Sequence, residues 1–178
     1  MKNKKWGMDV SKISSGKNFP ETVNVVIEIP ANTPGVKYEF CKDSGAMFVD
    51  RFLQTPMHYP ANYGFVPNTL SGDGDPADVL VISRYNLIVG SVIEVKPIGV
   101  LVTKDEKGCD EKIIAVPSDV VSAEYSNIQD ISDLPQLILD QIQYFFEHYK
   151  DLEKGKFVTV EGFDGAEKAK EILKKAKK

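Results

Sequence analysis

The sequence predicts an α+β protein whose strands come first and whose helices come last. Short apolar runs separated by Gly and Pro fill the first two thirds of the chain, which is typical of many short strands. In the last third, apolar residues recur at steps of three and four, which is typical of amphipathic helices. The length of 178 residues, without repeats, predicts one domain spanning residues 1–178.

Alternation of apolar and polar residues places the strands. Residues 22–29 alternate with a period of two, which predicts a half-buried strand with Glu28 facing away from the apolar row. After a turn at residues 32–35, the next strand places Lys37 and Glu39 on one face. Runs rich in Val, Ile and aromatic residues predict further strands at residues 47–53, 79–83, 92–102, 112–116 and 156–162. Pro97 predicts a bend or an edge in one of them.

Two helices are predicted where the spacing of apolar residues changes from every second residue to every third or fourth. The first is predicted to begin near Pro135, with one inner face formed by Ile138, Ile142, Phe145 and Tyr149. Asp164 and Glu167 resemble a capping box, which predicts a lysine-rich final helix capped by Asp164. Its inner face is predicted to consist of Ala169, Ile172, Leu173 and Ala176.

Composition excludes several classes of protein. With 22 Lys and Arg against 26 Asp and Glu, the net charge of −4 argues against a nucleic-acid surface driven by bulk charge. The apolar runs are too short to cross a membrane, and no signal-peptide core follows the start, so residues 1–16 are expected to be a loose arm. Cys41 and Cys109 are too few for a disulfide scaffold, although one bond between them stays open, and a reducing cytoplasm is the simpler expectation.

Residues 73–78, with the sequence DGDPAD, concentrate three carboxylates in a turn stiffened by Gly and Pro. Such carboxylates repel one another unless a cation intervenes, and Mg²⁺ and Ca²⁺ prefer oxygen ligands. Taken alone, the same residues also suit an acidic, solvated turn. A second acidic group comprises Asp105, Glu106, Asp110 and Glu111, and it is equally compatible with a polar hairpin tip.

Cations and tyrosines are predicted at or next to the ends of strands and helices. They are Lys37, Arg51, Lys112 and Lys150, together with Tyr59, Tyr63 and Tyr149. Surface salt bridges would account for the cations individually. Taken with the two acidic groups, they suggest a site in which carboxylates gather Mg²⁺ ions that bridge to a polyphosphate.

Six ordered segments carry a specific resemblance. Residues 73–79 (DGDPADV) resemble the signature of the soluble family I inorganic pyrophosphatases. The segments VIEIP at 26–30, KYE at 37–39, VDR at 49–51, YPANYG at 59–64 and HYK at 148–150 resemble family segments in the same order. The resemblance extends from about Lys17 to the C-terminus. Ala77 departs from the larger aliphatic residue usual there, which affects packing and leaves the carboxylates untouched.

The resemblance implies a small closed five-stranded β-barrel of the OB type, flanked by helices, with the site at its mouth. It implies hydrolysis of pyrophosphate to two phosphates by direct attack of a metal-activated water, with several Mg²⁺ ions per subunit and no covalent intermediate. A cytoplasmic homohexamer of the short bacterial type is expected on the same ground.

The resemblance also assigns roles to individual residues. Asp75 would be the general base, with Arg51 and Tyr63 also catalytic. The metal ligands would be Asp73, Asp78, Asp105, Asp110 and Glu28. The substrate-binding residues would be Lys37, Arg51, Tyr63, Lys112, Tyr149 and Lys150, supported by Glu39 and Tyr59.

Two other functions compete with this hypothesis. An OB-type barrel with nine Phe, seven Tyr and one Trp could bind single-stranded nucleic acid by stacking, although the acidic groups would repel a phosphate backbone. A Mg²⁺-dependent hydrolase of another phosphoanhydride, such as ATP, would keep the chemistry and change the substrate.

Overall fold

The structure is a computed structural model that describes residues 7–72, 74–106 and 108–178. In chain order, its strands and helices are β1 (Val23–Ile29), β2 (Val36–Cys41), β3 (Ala46–Phe52), β4 (Asn62–Phe65), β5 (Asp78–Val81), β6 (Val92–Asp105), β7 (Gly108–Pro117), α1 (Gln136–His148), β8 (Val158–Gly165) and α2 (Ala166–Ala176).

Five strands close into a ring in the order β1-β4-β5-β7-β6, because β6 pairs back onto β1. The β5–β7 pair is parallel, and the other pairs in the ring are antiparallel. Strand β8 pairs with the C-terminal half of β6, from Gly99 to Asp105, and β2 and β3 form a separate hairpin. The predicted α+β class and five-stranded barrel are therefore confirmed. The register of β6 shifts between Pro97 and Gly99, as the bend predicted at Pro97 requires.

The strands of the ring bury side chains on both faces. In β5, Val79 and Val81 join the cluster that packs on α2, whereas Leu80 joins the cluster that packs on α1. Helix α1 begins after Pro135, as predicted, and contributes Ile142 and Phe145 to its cluster. The two helices thus cover different parts of the ring, and α1 brings its C-terminal end towards the site described below.

The prediction that the first strand is half-buried is wrong. Six of the seven residues of β1 are buried, because a third cluster covers the face that carries Val26. That cluster includes Phe40 of the hairpin and Met8 and Val10 of the N-terminal segment. Glu28 still faces away from the apolar row, as predicted, but it lies in a buried environment.

Strand β4 was not predicted, because its four residues offer too short a pattern. Gly64 lets β4 approach β1 closely: a Cβ atom at this position would lie 2.0 Å from the carbonyl oxygen of Val26. The neighbouring Asn62 is fully buried, and its side-chain oxygen accepts hydrogen bonds from the backbone N–H groups of Ala31 and Leu87. Asn62 therefore holds the segments after β1 and after β5 together, and Gly64 allows β4 to pack closely against β1.

The capping box predicted for the last helix is wrong. Helix α2 begins at Ala166 with Gly165 as its N-cap, and no side chain of its own caps it. Asp130, from the loop before α1, instead accepts a hydrogen bond from the Ala166 backbone N–H at 2.8 Å. A carboxylate distant in sequence thus satisfies one of the unpaired N–H groups at the first turn of the helix.

The N-terminal residues that are described contact the barrel. The Met8 N–H donates to the Gly45 carbonyl at 3.0 Å, and Asn24 donates from its N–H to the Ser15 carbonyl at 2.8 Å. Residues 8–15 are therefore attached, contrary to the expected loose arm, while residues 1–6 lie outside the described part of the chain. Cys41 and Cys109 are both free thiols. Within the described ranges, no helix is long and apolar enough to cross a membrane.

Candidate active site

A cleft of about 190 Å³ opens between one end of the ring and the β2–β3 hairpin. Its charged and tyrosine lining residues are Glu28, Lys37, Tyr38, Glu39, Lys42, Arg51, Tyr59, Tyr63, Asp75, Asp78, Asp105, Glu106, Asp110, Lys112, Tyr149, Lys150 and Lys156. Both carboxylates and cations line this cleft, so it can accept both metal ions and an anion.

The acidic turn before β5 forms part of the rim. Gly74 has a φ of +91°, a conformation that favours glycine, and the Ser71 N–H donates to the Asp75 carbonyl at 2.7 Å. The backbone N–H of Ala77 donates to the Thr69 hydroxyl, which anchors the end of the turn. The side chain of Asp75 is 61% exposed and lies 3.3 Å from Lys42 Nζ. Asp73, a predicted metal ligand, lies outside the described residues.

The floor is a compact network around a buried lysine. Lys112 Nζ donates to Asp78 and to Asp110, each at 2.6 Å. Tyr63 donates its hydroxyl proton to the same carboxylate of Asp78, also at 2.6 Å. These residues come together because Asp78 on β5 is the register partner of Lys112 on parallel β7, where Asp110 occupies the same strand face.

Burial changes the proton affinity of the floor. It raises the pKa of Asp110, and the charge of Lys112 only partly opposes this. Burial alone would lower the pKa of Lys112, but Asp78 and Asp110 outweigh it and raise that pKa above its usual range. Lys112 is therefore a permanent cation that offsets part of the negative charge of Asp78 and Asp110.

Glu28 links the floor to the hairpin. Its carboxylate accepts a hydrogen bond from the Phe40 backbone N–H at 2.8 Å. Burial raises the pKa of Glu28 to about 7, and the nearby charge of Asp78 acts in the same direction. The residue is thus more than a ligand candidate, because it also fixes β2 against the ring.

Two loops form the opposite side of the cleft. Lys150, just after α1, donates to Asp105 at 3.2 Å, and Asp105 lies at the end of β6. Glu106 lies 4.0 Å from Lys150 and forms a short ion pair with Lys156. The acidic β6–β7 hairpin and the loop after α1 are therefore joined by opposite charges.

The hairpin supplies two cations to the rim. Lys37 Nζ lies 2.9 Å from Asp50 and 3.8 Å from Glu39, which confirms that Lys37 and Glu39 share a face. Arg51 lies 3.7 Å from Asp50 and 3.6 Å from Glu153, both beyond hydrogen-bond distance. Arg51 also lines the cleft, where its guanidinium can contact an anion.

An aromatic group supports the tyrosines. The ring of Tyr59 lies 5.4 Å from that of Tyr63 and 4.8 Å from that of Phe145, which in turn stacks on Tyr149 at 5.0 Å. Burial raises the pKa of all three tyrosines, so they keep their phenolic protons at neutral pH and can donate hydrogen bonds.

The structure brings together every described residue that the sequence proposed for the site. Asp73 alone falls outside the described ranges, and the individual roles stay predictions. Glu111, from the second acidic group, does not line the cleft because it alternates with Asp110 and Lys112 along β7. Sequence reasoning missed Lys42, Lys156 and the carboxylates of Asp50 and Glu153, which contact the cations. Only the proximity of Asp50 to Arg51 in the sequence could have indicated one of them.

The donor set fits a hard divalent cation. The charges of Asp78 and Asp105 both add to the rise in the pKa of Asp110, and the ammonium of Lys112 stands between Asp78 and Asp110 as a substitute cation. Among residues 7–72, 74–106 and 108–178, no three His, Cys, Asp or Glu side chains form a ready-made metal site. Fold and site together define a β-barrel protein with a cleft whose carboxylates suit oxygen-bound cations and whose lysines and arginine suit an anion such as phosphate.

The comparisons with known proteins give the family. Residues 25–178 match the inorganic pyrophosphatase family model. The chain is 55% identical over 169 residues to the inorganic pyrophosphatase of Pseudomonas aeruginosa, covering 95% of this chain and 97% of that one. It is 56% identical over 163 residues to that of Escherichia coli K12, covering 92% and 93%. The crystal structure of the inorganic pyrophosphatase from Thermus thermophilus superposes with a TM-score of 0.90 at 43% identity, covering 95% and 97%.

The chain belongs to the inorganic pyrophosphatase family, as a family I member of the bacterial type. It is a metal-dependent inorganic diphosphatase, and its reaction is the hydrolysis of inorganic pyrophosphate. This decides between the hydrolase and the nucleic-acid-binding interpretations of the sequence, in favour of the hydrolase.

Proposed function

We propose that the cleft hydrolyses pyrophosphate by direct attack of water, with Mg²⁺ as the metal and the residues above in the roles predicted from the sequence. The observation that carries this proposal is the pairing of a carboxylate floor with a cationic rim in one cleft. Pyrophosphate needs both, because its charge must be neutralised and its leaving phosphate must be stabilised.

The cationic side would bind and orient the substrate. Arg51 offers a planar set of N–H donors that matches phosphate oxygens, whereas Lys37 and Lys150 act as compact charges. Tyr149 is a protonated donor, and Tyr63, whose hydroxyl proton goes to Asp78, would donate to phosphate once Asp78 binds the cation. Placing these groups around one anion lowers the entropy cost of reaching the transition state and neutralises the negative charge on the departing phosphate.

The acidic side would hold the metal and move the proton. Asp73, Asp78, Asp105, Asp110 and Glu28 are the proposed ligands, with Glu39 and Tyr59 in support. Bound Mg²⁺ supplies charge neutralisation and acidifies water at the site. Asp75 would accept the proton of the attacking water, since it is exposed at the rim, where water has access. Lys112 would turn its ammonium towards phosphate once Asp78 and Asp110 bind the cation.

Phosphate release tests this proposal directly. The purified protein is assayed with pyrophosphate and with ATP, in Mg²⁺ and in a chelator, beside Asp75→Asn. We expect rapid release from pyrophosphate only in Mg²⁺, much slower release from ATP, and a kcat about 10²–10⁴-fold lower in the variant, the range for losing a general base. Circular dichroism verifies that the variant is folded. An unchanged kcat in folded Asp75→Asn would remove Asp75 from this role, and faster release from ATP would change the substrate.

The same resemblance supports a homohexamer of one-domain subunits in the cytoplasm, as a further part of the proposal. Two free thiols are compatible with a reducing compartment. Sedimentation velocity at micromolar concentration measures the assembly, and a lone monomer would contradict the hexamer.

A further inference from the structure

A buried carboxylate contacts Arg51 from outside the cleft lining. Glu153 Oε1 lies 3.6 Å from Arg51 Nε, and the Glu153 side chain is only 9% exposed. Both atoms are buried, and neither has a hydrogen-bond partner among the described residues. Arg51 lines the cleft, whereas Glu153 does not, so the two groups form a contact behind the substrate side.

The distance of 3.6 Å is unusual for a buried pair of opposite charges. Leaving a buried donor or acceptor unpaired costs about 1–3 kcal/mol. Yet the two atoms are within ion-pair range, and a movement of roughly half an ångström would bring them to an ordinary hydrogen-bond length. The pair is thus arranged so that a small rotation of the guanidinium satisfies both groups.

The position of Glu153 in the chain connects this contact to the substrate side. Its backbone N–H donates to the Lys150 carbonyl at 2.8 Å, so the tight turn after α1 carries Glu153 together with a proposed phosphate ligand. The Thr55 hydroxyl donates to the Tyr149 carbonyl at 3.3 Å and ties the same turn to the chain just after β3. The two segments that supply cations to the cleft therefore meet at Glu153 and Arg51.

We propose that Glu153 is a positioning residue for Arg51: its carboxylate accepts a hydrogen bond from Nε–H and thereby fixes the plane of the guanidinium. Because that group is planar, fixing Nε determines the direction in which its terminal nitrogens donate. They then face pyrophosphate in the cleft, while Glu153 holds Nε from behind. This inference rests on the proposed role of Arg51 as a phosphate ligand.

A double-mutant cycle tests the inference. We measure kcat and KM for magnesium pyrophosphate in Glu153→Gln, Glu153→Ala, Arg51→Ala and the two double variants, with thermal unfolding of each. We expect kcat/KM to fall about 10–100-fold in Glu153→Ala, the range for losing an outer partner of a site residue. Glu153→Gln keeps an acceptor for Nε and should fall less, with most of the loss in kcat. In the Arg51→Ala background, neither change should lower kcat/KM by more than about twofold, because the partner is gone.

Glu124→Gln is the matched control. Glu124 pairs with Arg84 at 3.2 Å on the exposed surface, outside the cleft, so this variant removes the same type of contact. We expect its kcat/KM to equal that of the unchanged protein.

The outcomes distinguish a wrong role for Glu153 from a wrong role for Arg51. In one outcome, Arg51→Ala is impaired while a Glu153 change lowers kcat/KM by the same factor with Arg51 present as with Arg51 replaced. Glu153 then acts independently of Arg51, and the inference is wrong. Full activity in folded Glu153→Gln and Glu153→Ala overturns it as well. Full activity in Arg51→Ala would instead remove Arg51 from the proposed function, and the inference would fall with it. If Glu153→Ala does not fold, the Gln cycle decides alone.

Discussion

On the floor of the cleft, Lys112 lies 2.6 Å from both Asp78 and Asp110, whereas at the rim Lys42 lies 3.3 Å from Asp75 and Lys37 lies 3.8 Å from Glu39. The Lys112 side chain is 6% exposed, and that of Asp75 is 61% exposed. Lys37 also lies 2.9 Å from Asp50, so the two regions differ mainly in burial: the floor pairs surround a buried lysine, whereas the Lys42–Asp75 pair is exposed.

The difference follows from what carries the charges. The floor residues lie on paired ring strands, so their relative positions are fixed by the register of β5 and β7. The rim residues lie on the separate hairpin and on the acidic turn, where side chains are long and solvated. We infer that the floor contributes to stability as well as to function, and that the rim mainly serves the substrate.

Lys112→Met should break the floor and give the largest effect. It leaves two half-buried carboxylates without their buried cation, and removing one partner of a buried pair typically costs about 3–5 kcal/mol. Urea unfolding in a chelator measures this loss. Lys104→Met, which removes a cation from an exposed pair with Glu161, is the control and should change little. A loss below about 1 kcal/mol in Lys112→Met would show that the floor is not structural.

Asp130→Asn should lower stability without affecting either region of the cleft. The Ala166 backbone N–H lowers the pKa of Asp130 below its ordinary value of 3.8, so ionised Asp130 stabilises the folded state. That contribution is fully present above pH 3.8 and is lost as the pH falls through the lower folded-state pKa. We expect a loss of about 1 kcal/mol at pH 7, as for other N-terminal caps.

Urea unfolding at pH 7 and below pH 3 measures this dependence, and kcat for pyrophosphate is followed in parallel at pH 7. The gap between Asp130→Asn and the unchanged protein should narrow at the lower pH. A gap that stays constant with pH, or a tenfold fall in kcat, would contradict the assignment of Asp130 to capping alone.

Lys42→Met should give the smallest effect on stability and would sharpen the contrast with Lys112→Met. The Lys42–Asp75 pair is exposed on both sides, and such pairs contribute at most about 1 kcal/mol. Urea unfolding should therefore show a change near the error of the method. Phosphate release should vary with ionic strength less than in the unchanged protein, because a rim cation that attracts the anion is gone. A loss as large as that of Lys112→Met would erase the distinction between floor and rim.

The sequence predicted those helices and strands that have a strong local pattern of apolar residues. Long alternating and helical segments were predicted well, including the start of α1 after Pro135. Strand β4 was not predicted, because Gly64 and the polar Asn62 make long-range contacts within the ring that leave no local pattern in the sequence. The cap of α2 was misassigned to Asp164 because Asp130, which supplies it, lies far away in the chain.

The sequence by itself determined the fold class, the family resemblance and most of the charged residues of the cleft, because ordered motifs preserve the residue types that the chemistry needs. Only the tertiary structure decided which charges pair. Asp78 meets Lys112 through a parallel strand pairing, and Glu153 reaches Arg51 from a turn about a hundred residues further along the chain. Such pairings depend on the closure of the ring and on the docking of the hairpin. They are long-range contacts whose partners have no fixed spacing in the sequence.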